Sequence, residues 1–208
     1  MNIVLFGATG NVGRVIFKEL KERGHEVLPV VRNLNKIEDK SLKVIEGDIN
    51  KYKEFINEIP KGTIVISAMG PVYGNEEEFS EIMKNLIDFS KEIEAKRAIA
   101  VGGAGSLYVS ETLRLIDSEN FIEDWKPIAR AHINALELLK ESELNWTYFS
   151  PAAFFNPGGK KGNYKLGTTF LLSDINGKSE ISFSDYAESL VDELENPKNE
   201  RAQFTIAY

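Results

Sequence analysis

Short apolar runs alternate along this chain with longer stretches in which apolar residues return every three or four positions. Asn2–Phe6 reads NIVLF, an apolar strand bounded by Gly7. In residues 10–23, Val12, Val15, Ile16 and Leu20 fall at i, i+3, i+4 and i+8, the stripe of an amphipathic helix. Gly24 stops that helix where a left-handed cap belongs. The pattern then predicts strands at Glu26–Val31 and 42–46, a short helix over 51–59 ended by Pro60, and a fourth strand at 63–67. Residues 76–93 are helical, with Phe79, Ile82, Met83, Leu86 and Ile87 on one face and three glutamates at the positive end of the dipole. Ala98–Val101 is a fifth strand, followed by an irregular stretch to about Asp124, a helix over 125–142 and a sixth strand at 146–149. After Ser150-Pro151 the rhythm changes. Residues 164–183 read as a hairpin turning at Asn176-Gly177, 184–194 as a last helix and 203–208 as a last strand.

Strands alternating with helices of this length require right-handed crossovers and a mostly parallel sheet covered on both faces. The 208 residues suffice for one domain, residues 1–208, with 152–208 as a small cap on the substrate side plus the last strand. The chain has no cysteine, which excludes disulfides, thiolate catalysis and cysteine-ligated metals. Its two histidines are too few for a histidine-rich metal site, and no metal is expected. A net charge of −7 argues against a nucleic-acid or anionic-membrane partner, while leaving room for a local basic pocket. No apolar run approaches the ~18 residues of a membrane span. Met1 leads straight into the first strand, so a soluble, cytoplasmic protein without a signal peptide is the expectation.

Between the first strand and the first helix lies Gly7-Ala8-Thr9-Gly10-Asn11-Val12-Gly13. Such glycines serve a tight turn (Gly7), backbone approach to a pyrophosphate (Gly10) and close helix–sheet packing (Gly13), with the helix N-terminus facing the phosphates. In a strand–turn–helix setting this predicts a Rossmann-type, doubly wound dinucleotide-binding fold. The end of the second strand, where an acidic residue would hold a ribose 2′-hydroxyl, carries Arg32 instead. A guanidinium pairs with a 2′-phosphate, with Asn33 and Lys36 in support, so NADP(H) is preferred over NAD(H). Asp48, after the third strand, serves either as an acceptor for the adenine amino group, with Ile49 against the ring, or as the cap of the following helix. Ala68, Met69 and Gly70, after the fourth strand, fit a loop along the adenosine and ribose.

These residues resemble the atypical short-chain dehydrogenase/reductases, most closely the small NAD(P)H-binding proteins related to flavin reductase (biliverdin reductase B) and to NmrA-like proteins. The likeness spans the chain: GATGNVG, Arg32, Gly47-Asp48, AVGGAGS at 100–106 and HINALELLKESELNWTYFSP at 132–151. It implies cofactor contacts along Thr9, Asn11 and Val12 and at Pro151 and Ala153. The usual Tyr-x-x-x-Lys pair is missing, its places held by Ile128 and His132, and a second histidine of the flavin reductases is replaced by Ala152. Ser106 matches the group's active-site serine, so Ser106 and His132 are the expected catalytic residues. The alternatives are a turn serine and a satisfied core histidine. His25 reads as structural and Lys160-Lys161 as a solvated loop.

Hydride transfer needs no protein acid when a flavin or quinone takes its proton from water. The expected activity is therefore NADPH-dependent reduction of a flat small-molecule acceptor, the alternative an NmrA-like sensor that binds NADP(H) without turnover. Tyr108, Trp125 and Phe154, together with Phe155 and Tyr164, are the expected pocket walls, or else core for the cap. Monomer and homodimer stay equally open.

Overall fold

The computed structural model describes residues 1–37, 39 and 41–208. Its strands are β1 (Asn2–Phe6), β2 (Glu26–Val31), β3 (Ile45–Glu46), β4 (Ile64–Ser67), β5 (Ala98–Val101), β6 (Trp146–Ser150), β7 (Phe154–Asn156), β8 (Lys165–Gly167), β9 (Glu180–Ser182) and β10 (Ala202–Ala207). The α-helices are α1 (Asn11–Glu22), α2 (Glu78–Glu92), α3 (Lys126–Glu141) and α4 (Phe183–Glu195). Eight strands form one sheet in the order β3-β2-β1-β4-β5-β6-β10-β8, parallel except for β8. The order reverses beside β1, the switch point at which open α/β sheets bind ligands.

Alternation along the strands divides the core in two. Val4, Phe6, Val65, Ala100 and Tyr148 face Phe79, Met83 and Leu86 of α2 and Leu136 and Leu139 of α3. Ile3, Leu5, Ile66, Ile99 and Phe149 face Ile16 and Leu20 of α1 and Tyr186, Leu190 and Leu194 of α4. Phe149 lies stacked between Tyr186 and Phe204, with ring centroids 4.2 and 3.9 Å away. Burying each such side chain contributes about 1.5–3 kcal/mol.

Three expectations need correction. Residues 51–59 form no α-helix; they make 3₁₀ turns at Ile49–Glu54 and Ile56–Glu58, because a segment this short cannot repay helix nucleation. The 164–183 hairpin is absent. Asn176-Gly177 does turn, with Gly177 at φ 79° and the Asn176 and Lys178 N–H groups donating to Asp174 Oδ1. Its arms part, however: β8 adds antiparallel to the edge at β10, and β9 pairs in parallel with β7. Open sheet edges offered these strands better partners than each other.

The third correction concerns the tail. Helix α4 lies beside α1 on the sheet face, with Tyr186, Leu190 and Val191 fully buried, so it is a layer of the core and not a cover over strand ends. Only the β7–β9 pair stands apart. Lys160, expected in solvent, bridges Glu19 and Glu188 at 2.9 Å each and ties the 157–163 loop to α1 and α4. His25 is structural as expected: buried, with Nε2 2.9 Å from Glu195 Oε1.

Candidate functional site

The turn from β1 into α1 is held by backbone contacts that admit no side chain. Gly7 has φ 79°, and a Cβ on it would stand 2.6 Å from the Ala68 carbonyl oxygen. A Cβ on Gly13 would stand 2.0 Å from the Gly7 oxygen. Gly10 differs, since a Cβ there would approach only the Gly7 oxygen, at 3.3 Å, and otherwise project into open space. Gly10 is the N-cap of α1, no side chain caps the helix, and its first turn has no acidic residue. The first amides of α1 are thus left for an outside acceptor.

That turn forms one wall of a cleft of about 270 Å³. The cleft brings together Gly7, Thr9, Gly10, Arg32, Asp48, Ile49, Ala68, Met69 and Gly70, all expected from the sequence, with Lys36 beside Arg32. Arg32 is exposed, and among the described residues it has no carboxylate partner. Asp48 caps the following 3₁₀ turn through the Asn50 N–H at 2.9 Å, one of its two expected readings, and it also lines the cleft. Asn33 does not join Arg32; its side chain accepts from the Asn35 N–H. An uncapped helix start and a glycine that opens onto space are what the pyrophosphate of a dinucleotide requires. The donor set fits.

Sequence reasoning missed the far wall. Val72, Glu78 and Ile82 line the cleft from the loop after β4 and from α2. Glu78 also links both sides of the mouth, accepting from Asn75 Nδ2 at 2.5 Å and Asn50 Nδ2 at 3.4 Å. The motif signal ended at Gly70, and nothing in the helix pattern marked Glu78 as different from its acidic neighbours.

Of the expected catalytic residues, Ser106 lies in the turn after β5 and His132 on α3, both outside that cleft's lining. Ser106 is fully buried. Its hydroxyl donates to the Gly103 carbonyl at 2.8 Å, accepts from Gln203 Nε2 at 2.8 Å and lies 3.3 Å from Ser150 Oγ. A hydroxyl so committed cannot meet an acceptor, so Ser106 braces the glycine turn and its expected contact with substrate is corrected. His132 is half-buried, with Nδ1 3.3 Å from the Tyr148 hydroxyl and its ring edge-on to Phe79. Burial pushes its pKa down to about 4, which favours the neutral ring at neutral pH.

The glycines of AVGGAGS make room for this pair. A Cβ on Gly102 would stand 2.4 Å from the Tyr148 ring, and one on Gly103 2.8 Å from the His132 ring. Pro151 is buried and the Ala153 N–H donates to Ser179 Oγ; neither lines the cleft, nor do Asn11, Val12 and Gly13, which form the helix start beside it. Tyr108, Trp125 and Phe154 do not meet. Tyr108 packs against Phe170 and Arg114, while Trp125 and Phe154 are each about half exposed in separate places. Phe155 packs on Phe183 and Tyr186 in the core. Tyr164 is half-buried, its pKa pushed up to about 12 by burial and by Asp192, Glu188 and Asp185 of α4. A broader, open cleft of about 640 Å³ lies between Tyr73 and Glu76 on one side and Lys126, Pro127 and Arg130 on the other. Among the described residues no cluster of metal-ligating side chains occurs, and no helix is long and apolar enough to cross a membrane.

Fold and cleft together define a dinucleotide-binding α/β protein of the Rossmann type. The chain belongs to the NAD(P)H-binding family, whose model matches residues 7–197. It is 37% identical over 210 residues to the uncharacterized protein YwnB of Bacillus subtilis, covering 99% of this chain and 98% of that one. A candidate epimerase of Bacteroides thetaiotaomicron superposes with a TM-score of 0.90 at 41% identity, covering 100% of this chain and 96% of that one. A candidate NADH-flavin reductase of Streptococcus pneumoniae does so with a TM-score of 0.84 at 34% identity, covering 100% and 99%.

Proposed function

We propose that this protein is an NADPH-dependent reductase that passes a hydride to a flat acceptor, a flavin or a quinone. The observation that carries the cofactor choice is Arg32, a guanidinium in the cleft with Lys36 also in its lining and no carboxylate partner among the described residues. Bound in the cleft, the nicotinamide cofactor would supply the hydride. Gly10 and the first amides of α1 would take the pyrophosphate, Asp48 and Ile49 the adenine, and Arg32 the 2′-phosphate.

The acceptor class follows from what the β5 end lacks. Ser106 is consumed by Gly103 and Gln203, His132 is uncharged, and Ile128 stands where a tyrosine would donate. An acceptor that draws its proton from water suits such a site; a sugar epimerisation that needs a positioned acid does not. The name of the Streptococcus relative points the same way. The same lack favours a second reading, a sensor that binds NADP(H) without turnover. An NADPH-oxidation assay with FMN, FAD and a panel of quinones decides between them. Protein-dependent turnover is the expected result; binding without turnover across the panel would leave the sensor standing.

A further inference from the structure

His132 on α3 and Tyr148 in the middle of β6 pack so that their protons have one consistent arrangement. The Tyr148 oxygen lies 2.8 Å from the His132 carbonyl oxygen and 3.3 Å from His132 Nδ1, and Tyr148 is fully buried. A carbonyl can only accept, so the phenol proton belongs on the 2.8 Å line. Turned toward Nδ1, it would leave two buried oxygens facing each other lone pair to lone pair. The Tyr148 oxygen then offers Nδ1 only lone pairs, and a hydrogen bond there needs the proton on Nδ1. In a neutral imidazole that leaves Nε2 as a bare acceptor. Burial holds the ring neutral and pushes the phenol well above the usual tyrosine range, so neither group disturbs the arrangement near neutral pH.

We infer that Tyr148 is a positioning residue that fixes His132 in the Nδ1–H tautomer, so that Nε2 accepts a hydrogen bond from a neutral hydroxyl or amide donor of the cofactor's nicotinamide half. This rests on the reading of the cleft as a nucleotide site. Nε2 faces the cleft side: a side-chain atom on Gly70, which lines the cleft, would stand 3.9 Å from it. The Phe79 ring, 5.3 Å away and edge-on, holds the imidazole plane. Arg32 and Asp48 lie on the β2–β3 side of β1, whereas Gly70 and His132 lie on the β4–β5 side. The adenosine half occupies the first side, so the nicotinamide half reaches the second. A phosphate has no proton to give a bare acceptor, which restricts the ligand group to a hydroxyl or an amide.

The tautomer is read without any ligand, from long-range proton–nitrogen spectra of the imidazoles at pH 7. With only His25 besides it, His132 is assigned by its loss in His132→Phe. The Nδ1–H pattern is expected in the wild type, moving toward Nε2–H in Tyr148→Phe. An Nε2–H pattern in the wild type overturns the inference even if Tyr148→Phe fails to fold, and an unchanged pattern in a folded Tyr148→Phe overturns the role of Tyr148. Binding is read by calorimetry with NADP⁺. His132→Phe should bind about tenfold more weakly, the scale of one lost hydrogen bond, while His132→Gln, which keeps an acceptor, should stay within about twofold. Adenosine 2′,5′-bisphosphate, lacking the nicotinamide half, should bind all three proteins alike. Equal NADP⁺ affinity in the three removes the acceptor role. If NADP⁺ does not bind the wild type at all, the nucleotide reading fails together with the contact, while the tautomer is judged on its spectrum.

Discussion

Arg32 and Gly10 act on the nucleotide in different ways, and single substitutions separate them. Arg32→Asp replaces attraction for a 2′-phosphate by repulsion and provides an acceptor for a ribose hydroxyl. NADPH affinity should fall by about 1.5–3 kcal/mol, the range for a hydrogen bond to a charged group, and NADH should gain; titrations of both nucleotides check this. Superimposable NADPH curves for variant and wild type would take Arg32 out of the site. Gly10→Val adds a side chain that the protein itself can tolerate, because only the Gly7 oxygen is near. The free variant should melt close to wild type and lose nucleotide-induced stabilisation. Gly13→Ala should instead destabilise the free protein, since its Cβ meets the Gly7 oxygen at 2.0 Å. Calorimetric melting with and without NADPH reads both. At this scale much of the site was legible, because each glycine and Arg32 stand at fixed offsets from a strand end. Ser106 misled because its sequence position marks the end of β5 but not the Gln203 amide that occupies its hydroxyl across 97 residues.

The elements were legible where local pattern and tertiary partner agree. Helix α1 shows this: its stripe of Val12, Val15, Ile16 and Leu20 turns toward the sheet, and Gly24 ends it at φ 77°. The tail was not legible, because β8 and β9 each take a partner far away in sequence, which no local turn signal can announce. What anchors the loop before β8 is Asp185, fully buried at the start of α4. Its carboxylate accepts from the Lys161 and Gly162 N–H groups, from Ser182 Oγ and from the Tyr208 hydroxyl. Asp185→Ala should cost roughly 1.5–3 kcal/mol, on the scale of hydrogen bonds to a charged group, and should speed tryptic cutting after Lys160 and Lys161. Lys160→Gln removes ion pairs of a half-exposed side chain and should change stability by less than about 1 kcal/mol. Cleavage of Asp185→Ala at the wild-type rate would show that the loop is held by something else.

In the whole molecule, the last third packs on the rest of the chain through α4 beside α1 and β10 beside β6, and a buried ion pair reinforces that contact. Arg97, at the foot of β5, reaches Glu193 of α4; it donates to the Glu193 carboxylate, to the Glu193 carbonyl at 3.0 Å and to Thr147 Oγ1. Glu193 also accepts from the Lys198 and Asn199 N–H groups, which orders the turn that feeds β10. Burial alone would raise the Glu193 pKa, but Arg97 and these amides outweigh it and hold the carboxyl below the usual glutamate range. Burial likewise pushes the Asp185 pKa up, but the Tyr208, Lys161, Gly162 and Ser182 donors outweigh it and hold this carboxyl below the usual aspartate range. Carboxyls with depressed folded pKa values contribute stability that is present above their unfolded pKa and lost as pH falls through the folded one. Urea unfolding should show stability declining as pH falls below about 6.5, because His132 stays neutral in the fold and takes a proton on unfolding. It should decline further below 4.5 as the carboxyls titrate. Glu193→Ala leaves Arg97 buried without its partner, a loss of about 3–5 kcal/mol. At roughly 2–4 °C per kcal/mol for a chain of this size, the melting temperature should drop by roughly 6–20 °C. The pair lies at the amino-end foot of β5, opposite the cleft at the carboxyl ends, so folded Glu193→Ala should bind NADPH as the wild type does. Its stability should also fall less steeply below pH 4.5, having one depressed carboxyl fewer to titrate. A variant that melts like the wild type, or one that keeps the full acid slope, would place the bond between the two parts of the chain elsewhere than at Arg97 and Glu193.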